Sequence, residues 1–275
     1  MRRALFVWLL GGMCLAVHAS EDPAIGAAQS AGDAAPAAVI RDNISDGTYG
    51  AARMDRARAI LADEHGGAPV SKLMGNIFEY TSASDGGGYR WDIEGWYGGD
   101  VHRFVFKTEG DGLQRAELGA AEMQALYSRA VGRYTDVQLG VRYDLQPDGR
   151  AYASAAVESL LPYWVKVEAA FFVSDRGAAF SRLKGSHDLR LTQRLILQPR
   201  VELSLAARDV PDADIGAGLS TAEAGMRLRY EIRREVAPYI GVNFERSLGR
   251  TADFRRTAGK RAQETRFVVG LRAWF

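Results

Sequence analysis

Thiols are almost absent from this sequence. Its one cysteine, Cys14, lies in an apolar run, residues 4–17, that directly follows two arginines. A basic start, a short apolar run and small residues after it are typical of a secretory signal peptide, so we expect residues 1–19 to be cleaved off. The chain that remains has no thiol, which excludes disulfides and thiolate metal sites.

Long apolar runs and an excess of one charge are also missing. After residue 19 no window approaches twenty apolar residues, so no bilayer-spanning helix is expected. Lys and Arg number 35 against 34 Asp and Glu, and no basic face emerges, so a nucleic-acid partner is not expected. Proline is scarce, with 8 residues, whereas glycine is abundant, with 30. Long strands joined by glycine turns would give that composition.

Alternation with a period of two begins near residue 74 and continues to residue 275. It is clearest at the end of the chain, where an apolar set alternates with a mixed set that contains Arg272. The apolar set is Phe267, Val269, Leu271, Ala273 and Phe275. The whole pattern predicts twelve strands, at 74–82, 89–98, 101–109, 119–132, 134–146, 150–161, 163–174, 179–193, 195–208, 219–233, 236–248 and 264–275.

Tight and long connections alternate between these strands. The tight ones are residues 98–100, 132–133, 161–162, 193–194 and 233–235, and the longer ones are 83–88, 110–118, 175–178, 209–218 and 249–263, with 146–149 as a short exception. Bacterial outer-membrane barrels have an even strand number, short periplasmic turns and longer external loops. We therefore predict that residues 74–275 form an all-β, antiparallel transmembrane β-barrel of about twelve strands, in the outer membrane of a Gram-negative bacterium.

The two faces of the strands predict which side meets lipid. Val201, Leu203 and Leu205 alternate with Arg200 and Glu202, and a charge at the lipid midplane costs about 2–4 kcal/mol. The apolar set should therefore face lipid, and the charged set should face the lumen. Inward charges of both signs favour a paired ladder that braces a narrow barrel over a selective path. They are Arg190, Arg200, Glu202, Glu223, Arg227, Arg229, Glu231, Glu245 and Arg272.

Aromatic residues near the predicted strand ends suggest the girdles that mark the two membrane interfaces. Near the tight turns these are Tyr134, Tyr163, Tyr239 and Trp274, and near the other rim they are Tyr143 and Tyr152.

Residues 20–73 should form a flexible periplasmic leader. Residues 20–40 are rich in Ala, Gly and Ser and cannot bury enough apolar surface to order themselves. Between Thr48 and Glu64 the apolar spacing fits one short helix, capped by Asp46 or Thr48 and ended by Gly66-Gly67.

Several stretches resemble the copper resistance protein B family of outer-membrane proteins. They are Ala125-Leu126-Tyr127-Ser128-Arg129-Ala130, Leu139-Gly140-Val141-Arg142-Tyr143-Asp144, Leu161-Pro162-Tyr163-Trp164, residues 191–200, residues 228–235, Ala237-Pro238-Tyr239-Ile240-Gly241-Val242 and Thr265-Arg266-Phe267. The resemblance covers residues 74–275. It implies a barrel that contributes to copper tolerance by binding, sequestering or exporting periplasmic copper, with outer-membrane lipid, the copper ion and periplasmic copper-carrying proteins as partners.

The leader departs from the family, whose members typically carry a Met- and His-rich segment before the barrel. Thioether sulfur suits Cu(I), and imidazole suits either oxidation state. Here the leader and its junction with the barrel offer only Met54, His65 and Met74, and His102 follows a tight turn at the periplasmic rim. These four residues are the candidate copper ligands, and the low ligand count predicts weak binding. Met123, His187 and Met226 are isolated, and the last two lie in the lipid-facing register of their strands.

Two other functions stay open. A general small-solute channel or export conduit without a metal role would agree with the missing ligand cluster. An outer-membrane barrel enzyme would need a nucleophile beside a positioned base. His187 is the one histidine in the second half of the sequence, and Ser186 beside it lies on the opposite strand face. We therefore expect no enzymatic activity.

Overall fold

The computed structural model describes residues 45–65, 69–83, 86–113, 118–146 and 149–275. The predicted signal peptide and residues 20–44 of the predicted leader lie outside the described residues, as do Gly66-Gly67. The helices are α1 (Asp46–Tyr49), α2 (Ala51–His65) and α3 (Gly249–Thr257), and the strands are β1 (Val70–Ala83), β2 (Gly86–Gly98), β3 (His102–Leu113), β4 (Leu118–Gly132), β5 (Thr135–Gln146), β6 (Arg150–Leu161), β7 (Val165–Ser174), β8 (Ala179–His187), β9 (Leu189–Arg190), β10 (Leu195–Ala206), β11 (Gly218–Tyr230), β12 (Val236–Ser247) and β13 (Gln263–Trp274).

The N-terminal helical segment differs from the single helix predicted over residues 48–64. Gly50 interrupts it with a φ of 85°, a conformation that favours glycine, and so separates α1 from α2. Asp46 and Thr48 lie inside α1 and therefore do not cap the longer helix. The described residues up to Arg58 and those from Ala59 onward form two compact units. In the part of the chain that the structure describes, no helix has both the length and the apolar character needed to cross a membrane.

The strands form one closed antiparallel sheet. Each strand pairs with its neighbours in chain order, β1 pairs with β13, and β10 pairs with β11, so the ring has no free edge. The two-residue strand β9 continues β8 beyond Asp188, and both pair with β10. Because β8 and β9 together occupy one position in the ring, the thirteen strands form a twelve-stranded barrel. The predicted twelve-stranded barrel is thus confirmed.

Asp188 lies at the break between β8 and β9. Its carboxylate accepts hydrogen bonds from Arg229 Nη2 at 2.8 Å and from Gln198 Nε2 at 2.7 Å. Arg272 Nη1 lies 3.6 Å from the same carboxylate. This charged side chain is therefore held at the end of the lumen by neighbouring strands.

Several boundaries differ from the predicted ones. Strand β1 begins at Val70, not at residue 74, because residues 70–73 pair with β2. The predicted long connections at 83–88 and 110–118 are mostly strand, since Ala83 pairs with Gly86 and β3 continues to Leu113. Among the described connections, the long ones are residues 207–217 and 248–262. They lie at one end, called the loop end, and the tight turns lie at the other, called the turn end.

The predicted faces agree with the structure. Val201 and Leu205 are exposed on the outer surface, whereas Arg227 and Arg229 are each only 3% exposed inside the barrel. Met226 belongs to the outer surface, as predicted. An apolar exterior of this extent would aggregate in water, and the hydrocarbon of a bilayer is its natural solvent.

Two of the aromatic residues assigned to girdles turn inward instead. Tyr239 is 4% exposed, and its hydroxyl donates to Glu79 Oε2 at 3.1 Å. Gly270 faces Tyr239 across the β12–β13 pair, and a Cβ there would lie 2.5 Å from the tyrosine ring, so glycine makes this inward position possible. Tyr152 is also buried, beneath the guanidinium of Arg142. Tyr134, Tyr163 and Tyr143 are exposed.

Candidate functional site

The lumen is the region where charged side chains from all parts of the sheet converge. Inward positions recur at every second residue, so carboxylates and cations of facing strands point at one another. At the centre, Arg182 of β8 donates two hydrogen bonds of 2.9 Å to Glu122 of β4, although three strands lie between them. Arg142 Nη2 approaches the same carboxylate at 2.7 Å. The pairs therefore cross the lumen as well as lining its wall.

A layer of polar side chains lies at mid-height. Lys184 of β8 bonds Glu109 of β3, and Arg200 of β10 lies 3.4 Å from Asp92 of β2. Lys107 of β3 donates to Glu168 of β7 at 3.0 Å. We call the following set the ionic layer: Asp92, Lys107, Gln124, Glu168, Lys184 and Arg200. Three cations against two carboxylates, with further carboxylates above and below, keep its charges paired.

Two cavities lie on either side of the ionic layer. The loop-side cavity, of about 600 Å³, is lined by Arg90, Glu122, Arg182 and other residues near the loop end. The turn-side cavity, of about 170 Å³, is lined by Met74, Glu94 and others near the turn end. No residue lines both cavities, and no member of the ionic layer lines either one. The ionic layer thus lies between the two cavities.

A second buried ion pair in the lumen joins β11 to β1. Arg227 donates to both carboxylate oxygens of Glu79, at 3.2 and 3.1 Å, and Tyr239 donates to one of them. The side chains of Arg227 and Glu79 are 3% and 1% exposed. Gly225 leaves room for the guanidinium, because a Cβ there would lie 2.7 Å from Arg227 Nη1. This pairing supports the predicted bracing ladder.

The turn-side cavity contains its own set of charges. Lys166 Nζ lies 2.7 Å from Glu158 and 3.7 Å from Glu94. Met74 projects into this cavity, and Arg272 Nη2 lies 3.5 Å from its sulfur. A guanidinium so close to the thioether opposes the approach of a second cation.

The loop-side cavity lies below the two long connections, which are joined to each other by hydrogen bonds and ion pairs. The backbone amide of Gly216 donates to Thr251 Oγ1 at 2.9 Å, and Arg250 Nη1 lies 2.5 Å from Asp209. Lys260 Nζ donates to Asp214 at 2.7 Å. Thr251, Asp214 and Arg255 all contribute to the lining of this cavity.

The candidate copper ligands lie in different surroundings. Met54 is in α2, within the unit that ends at Arg58, and His65 is the last residue of α2. Met74 faces the lumen. His102 is exposed at the start of β3 and contacts the hydroxyl of Tyr127, whose ring stacks on its own. Tyr127 belongs to the exposed outer surface, so the structure places Met74 and His102 on opposite faces of the barrel wall.

The described residues do not assemble a tight metal site. Among them, no group of three or more His, Cys, Asp or Glu is arranged to hold an ion. His187 does not belong to such a group either. Its Nδ1 lies 3.3 Å from the backbone oxygen of Trp164. Met74 in the turn-side cavity is thus a single soft ligand among carboxylates and cations.

The predicted lumenal charges, from Arg190 to Arg272, all lie in the second half of the chain. They do not include Glu79, Arg90, Asp92, Glu94, Lys107, Glu109, Glu122, Arg142, Asp144, Glu158, Lys166 and Glu168. A signal for them was present, because charged residues two apart, as in Arg90-x-Asp92-x-Glu94 and Lys107-x-Glu109, share one face of a strand. This spacing does not indicate which charges pair with each other across the lumen.

Comparison with known proteins identifies the family. The family described as "Copper resistance protein B precursor (CopB)" matches residues 70–275, which is the barrel from β1 onward. This chain belongs to the copper resistance protein B family. The "Copper resistance protein B homolog" of Pseudomonas syringae pv. tomato is 39% identical over 228 residues, covering 80% of this chain and 77% of that protein. "Copper resistance protein B" of Escherichia coli is 39% identical over 198 residues, covering 72% and 67%.

The fold of this copper resistance protein B family member also resembles a solved porin. The NanC porin superposes with a TM-score of 0.50 at 12% identity, covering 74% of this chain and 99% of the porin. At that identity the likeness shows the fold alone. Family and fold together make the protein an outer-membrane-type barrel of a copper resistance family, which is not a class of enzymes.

Proposed function

We propose that this copper resistance protein B family member contributes to copper tolerance by weak contacts with copper at the periplasmic end of the barrel. Outer-membrane barrels have short periplasmic turns and longer external loops. By that rule the turn end faces the periplasm, and residues 207–217 and 248–262 face the outside. The leader then joins the barrel on the periplasmic side, at Val70.

The observation that carries this proposal is the position of the ionic layer in the lumen. The turn-side cavity contains Met74, and the ionic layer lies between it and the loop-side cavity. A hydrated ion that crossed would have to displace the pairs of Lys184 with Glu109 and of Arg200 with Asp92. Separating buried charge pairs is costly. This arrangement favours retention of copper on the periplasmic side, and export would need the layer to rearrange.

The ligands we propose are those that the turn end and the leader supply. Thioethers suit Cu(I), and imidazole suits either oxidation state. Met74 would act from the lumen, with Met54 and His65 as further ligands from the leader and with periplasmic copper-carrying proteins as donors of the metal. His102 would make a separate contact, because its ring lies on the outer face. With so few soft ligands, copper is a weakly held cargo.

Copper tolerance and ion conductance together test this proposal. A Gram-negative strain without its own copy should tolerate more copper, but no more zinc, when it makes the wild-type protein. In planar bilayers the wild type should conduct poorly. Lys107→Ala with Lys184→Ala should raise the conductance and favour cations, because Glu168 and Glu109 lose their partners.

Lys72→Ala is the control, since Lys72 lines the turn-side cavity and lies over Trp274 but is outside the ionic layer. Its conductance should equal that of the wild type. A wild type that conducts as freely as the double variant and gives no protection from copper would favour the general solute channel instead.

A further inference from the structure

A cationic cleft lies on the outside of the barrel at the loop end. It has a volume of about 740 Å³ and lies between α3, the end of β12 and the start of β13. We call it the outer-face cleft. Its lining has four basic residues and one acidic residue: Arg246, Arg256, Lys260, Arg261 and Asp253. The lining therefore has an excess of three positive charges.

Helix α3 separates this cleft from the lumen. Thr251 and Arg255 line the loop-side cavity, whereas Ala252, Asp253 and Arg256 line the outer-face cleft. With about 3.6 residues per turn, Thr251 and Arg255 lie on one side of α3, whereas Asp253 and Arg256 lie on the other. The cleft therefore faces away from the lumen.

The apolar surface of the barrel continues directly below the cleft. Arg246 follows Val242 and Phe244 in the outward register of β12, and both of these are exposed. Phe267 pairs with Val242 across β13 and is 67% exposed. A band of hydrocarbon-facing side chains thus ends at a group of cations. Lipids with an anionic headgroup have the complementary arrangement.

The cations of the cleft can exchange their present partners for a ligand. Arg256 lies 3.0 Å from Asp253, and both side chains are more than 60% exposed. Lys260 is paired with Asp214, and its side chain is 63% exposed. Exposed pairs of this kind contribute little. A phosphate, in contrast, accepts bidentate hydrogen bonds from the planar guanidinium of an arginine.

We propose that the outer-face cleft binds the phosphate-bearing headgroup of a glycolipid in the outer leaflet. Arg246 and Arg256 bind the phosphate oxygens, with Lys260 and Arg261 adding positive charge. The acyl chains lie against Val242, Phe244 and Phe267. The site is independent of the copper ligands, which lie at the turn end and in the leader.

Retention of lipid during native mass spectrometry tests this site. The purified full-length barrel is mixed with a bis-phosphorylated lipid A or with its dephosphorylated form. We expect wild type to retain the phosphorylated form, and Arg246→Gln with Arg256→Gln to weaken retention at least about tenfold, the factor for one charge-assisted hydrogen bond. The charge-matched control, Arg233→Gln with Arg234→Gln in the exposed turn at the other end, should retain the lipid as wild type does.

Three outcomes would overturn the proposal. The first is that the cleft double variant, shown to be folded by its heat-modifiable migration, retains the phosphorylated lipid to the same extent as wild type. The second is that wild type retains the dephosphorylated lipid equally, which indicates apolar contact alone. The third is that inorganic phosphate displaces the lipid at equal concentration, which indicates a site for any anion. The experiments with dephosphorylated lipid and with inorganic phosphate use wild type only, so they test the proposal even if the double variant does not fold. In that case Arg246→Gln alone replaces the double variant.

Discussion

Glu122 of β4 and Arg182 of β8 form a bidentate ion pair across the lumen, with two hydrogen bonds of 2.9 Å. Arg142 approaches Glu122 from β5, and Arg182 Nε also lies 3.5 Å from Glu202. The guanidiniums of Arg142 and Arg182 lie over the ring of Phe172, at 4.7 and 5.6 Å from its centroid. The carboxylate of Glu122 therefore joins β4 to β8, two strands that share no backbone hydrogen bond.

Glu122→Gln should lower the free energy of unfolding by about 3 kcal/mol. We expect the lower end of the range for breaking a buried ion pair, because Arg142 remains paired with Asp144 and Arg182 remains paired with Glu202. Urea titration of the barrel in lipid vesicles measures it. In a double-mutant cycle, Glu122→Gln with Arg182→Gln should cost less than the sum of the singles, by about 0.5–3 kcal/mol. Strictly additive costs would contradict the coupling.

Leu203→Arg should lower the free energy of unfolding by about 2–4 kcal/mol. Leu203 faces outward between Val201 and Leu205, so the new charge would lie in hydrocarbon. Tyr163→Arg is the control, since Tyr163 is 87% exposed in a turn at the rim and should cost no more than about 1 kcal/mol. Both variants are compared with wild type by the same urea titration. Equal costs at the two positions would mean that the assigned lipid-facing band is wrong.

Tyr239→Phe should lower the free energy of unfolding by about 1.5–3 kcal/mol, the contribution of a hydrogen bond to a charged group. The change removes one donor from Glu79, which then depends on Arg227 alone. Tyr134→Phe, at an exposed tyrosine of the turn end, should have almost no effect. If the two variants unfold at the same urea concentration, Tyr239 makes no useful bond inside the barrel.

Met74→Leu should weaken Cu(I) binding by the protein lacking residues 1–19, at least about tenfold, the lower end of what changes beside a metal ligand cost. The substitution keeps the volume and removes the sulfur. Competition with a chromogenic chelator under reducing conditions measures the affinity. Met54→Leu and His65→Gln test how much the leader contributes to the affinity for Cu(I).

His102→Gln should leave that affinity unchanged, because the imidazole contacts Tyr127 on the outer face and not the cavity of Met74. An equal loss in the His102 and Met74 variants would indicate that both residues bind one ion, and the placement on opposite faces would then be wrong.

Much of the fold could be predicted because a barrel repeats one simple rule. Alternation with period two gives the strands, and the cost of a charge in hydrocarbon decides which face is lumenal. Leu203 and Glu202 can be assigned to the outer and lumenal faces from their own polarity and position, without knowing which residues surround them. The alternation of tight and long connections indicated an outer-membrane barrel, although the predicted long connections at 83–88 and 110–118 are mostly strand.

The inaccurate parts depend on neighbours that are distant in sequence. Tyr239 turns inward because Gly270 on the next strand leaves space and Glu79 offers an acceptor. Met74 and His102 lie on opposite faces because the side chain of each follows the local pleat of its own strand. The residue to which Arg182 would bind could not be inferred either, since its partner lies 60 positions away.

The great sequence separation of the lumenal partners has a kinetic consequence. Arg227 and Glu79 are 148 positions apart, and Arg90 and Glu223 are 133 apart. Pairs of this kind can form only when β1 and β2 have been brought into one ring with β11, so we expect them to form late in assembly. Interactions absent from the transition state slow unfolding and do not speed folding. If the lumenal pairs form late, their main effect is on unfolding, and we expect the wild-type barrel to unfold more slowly in the membrane than variants that lack them.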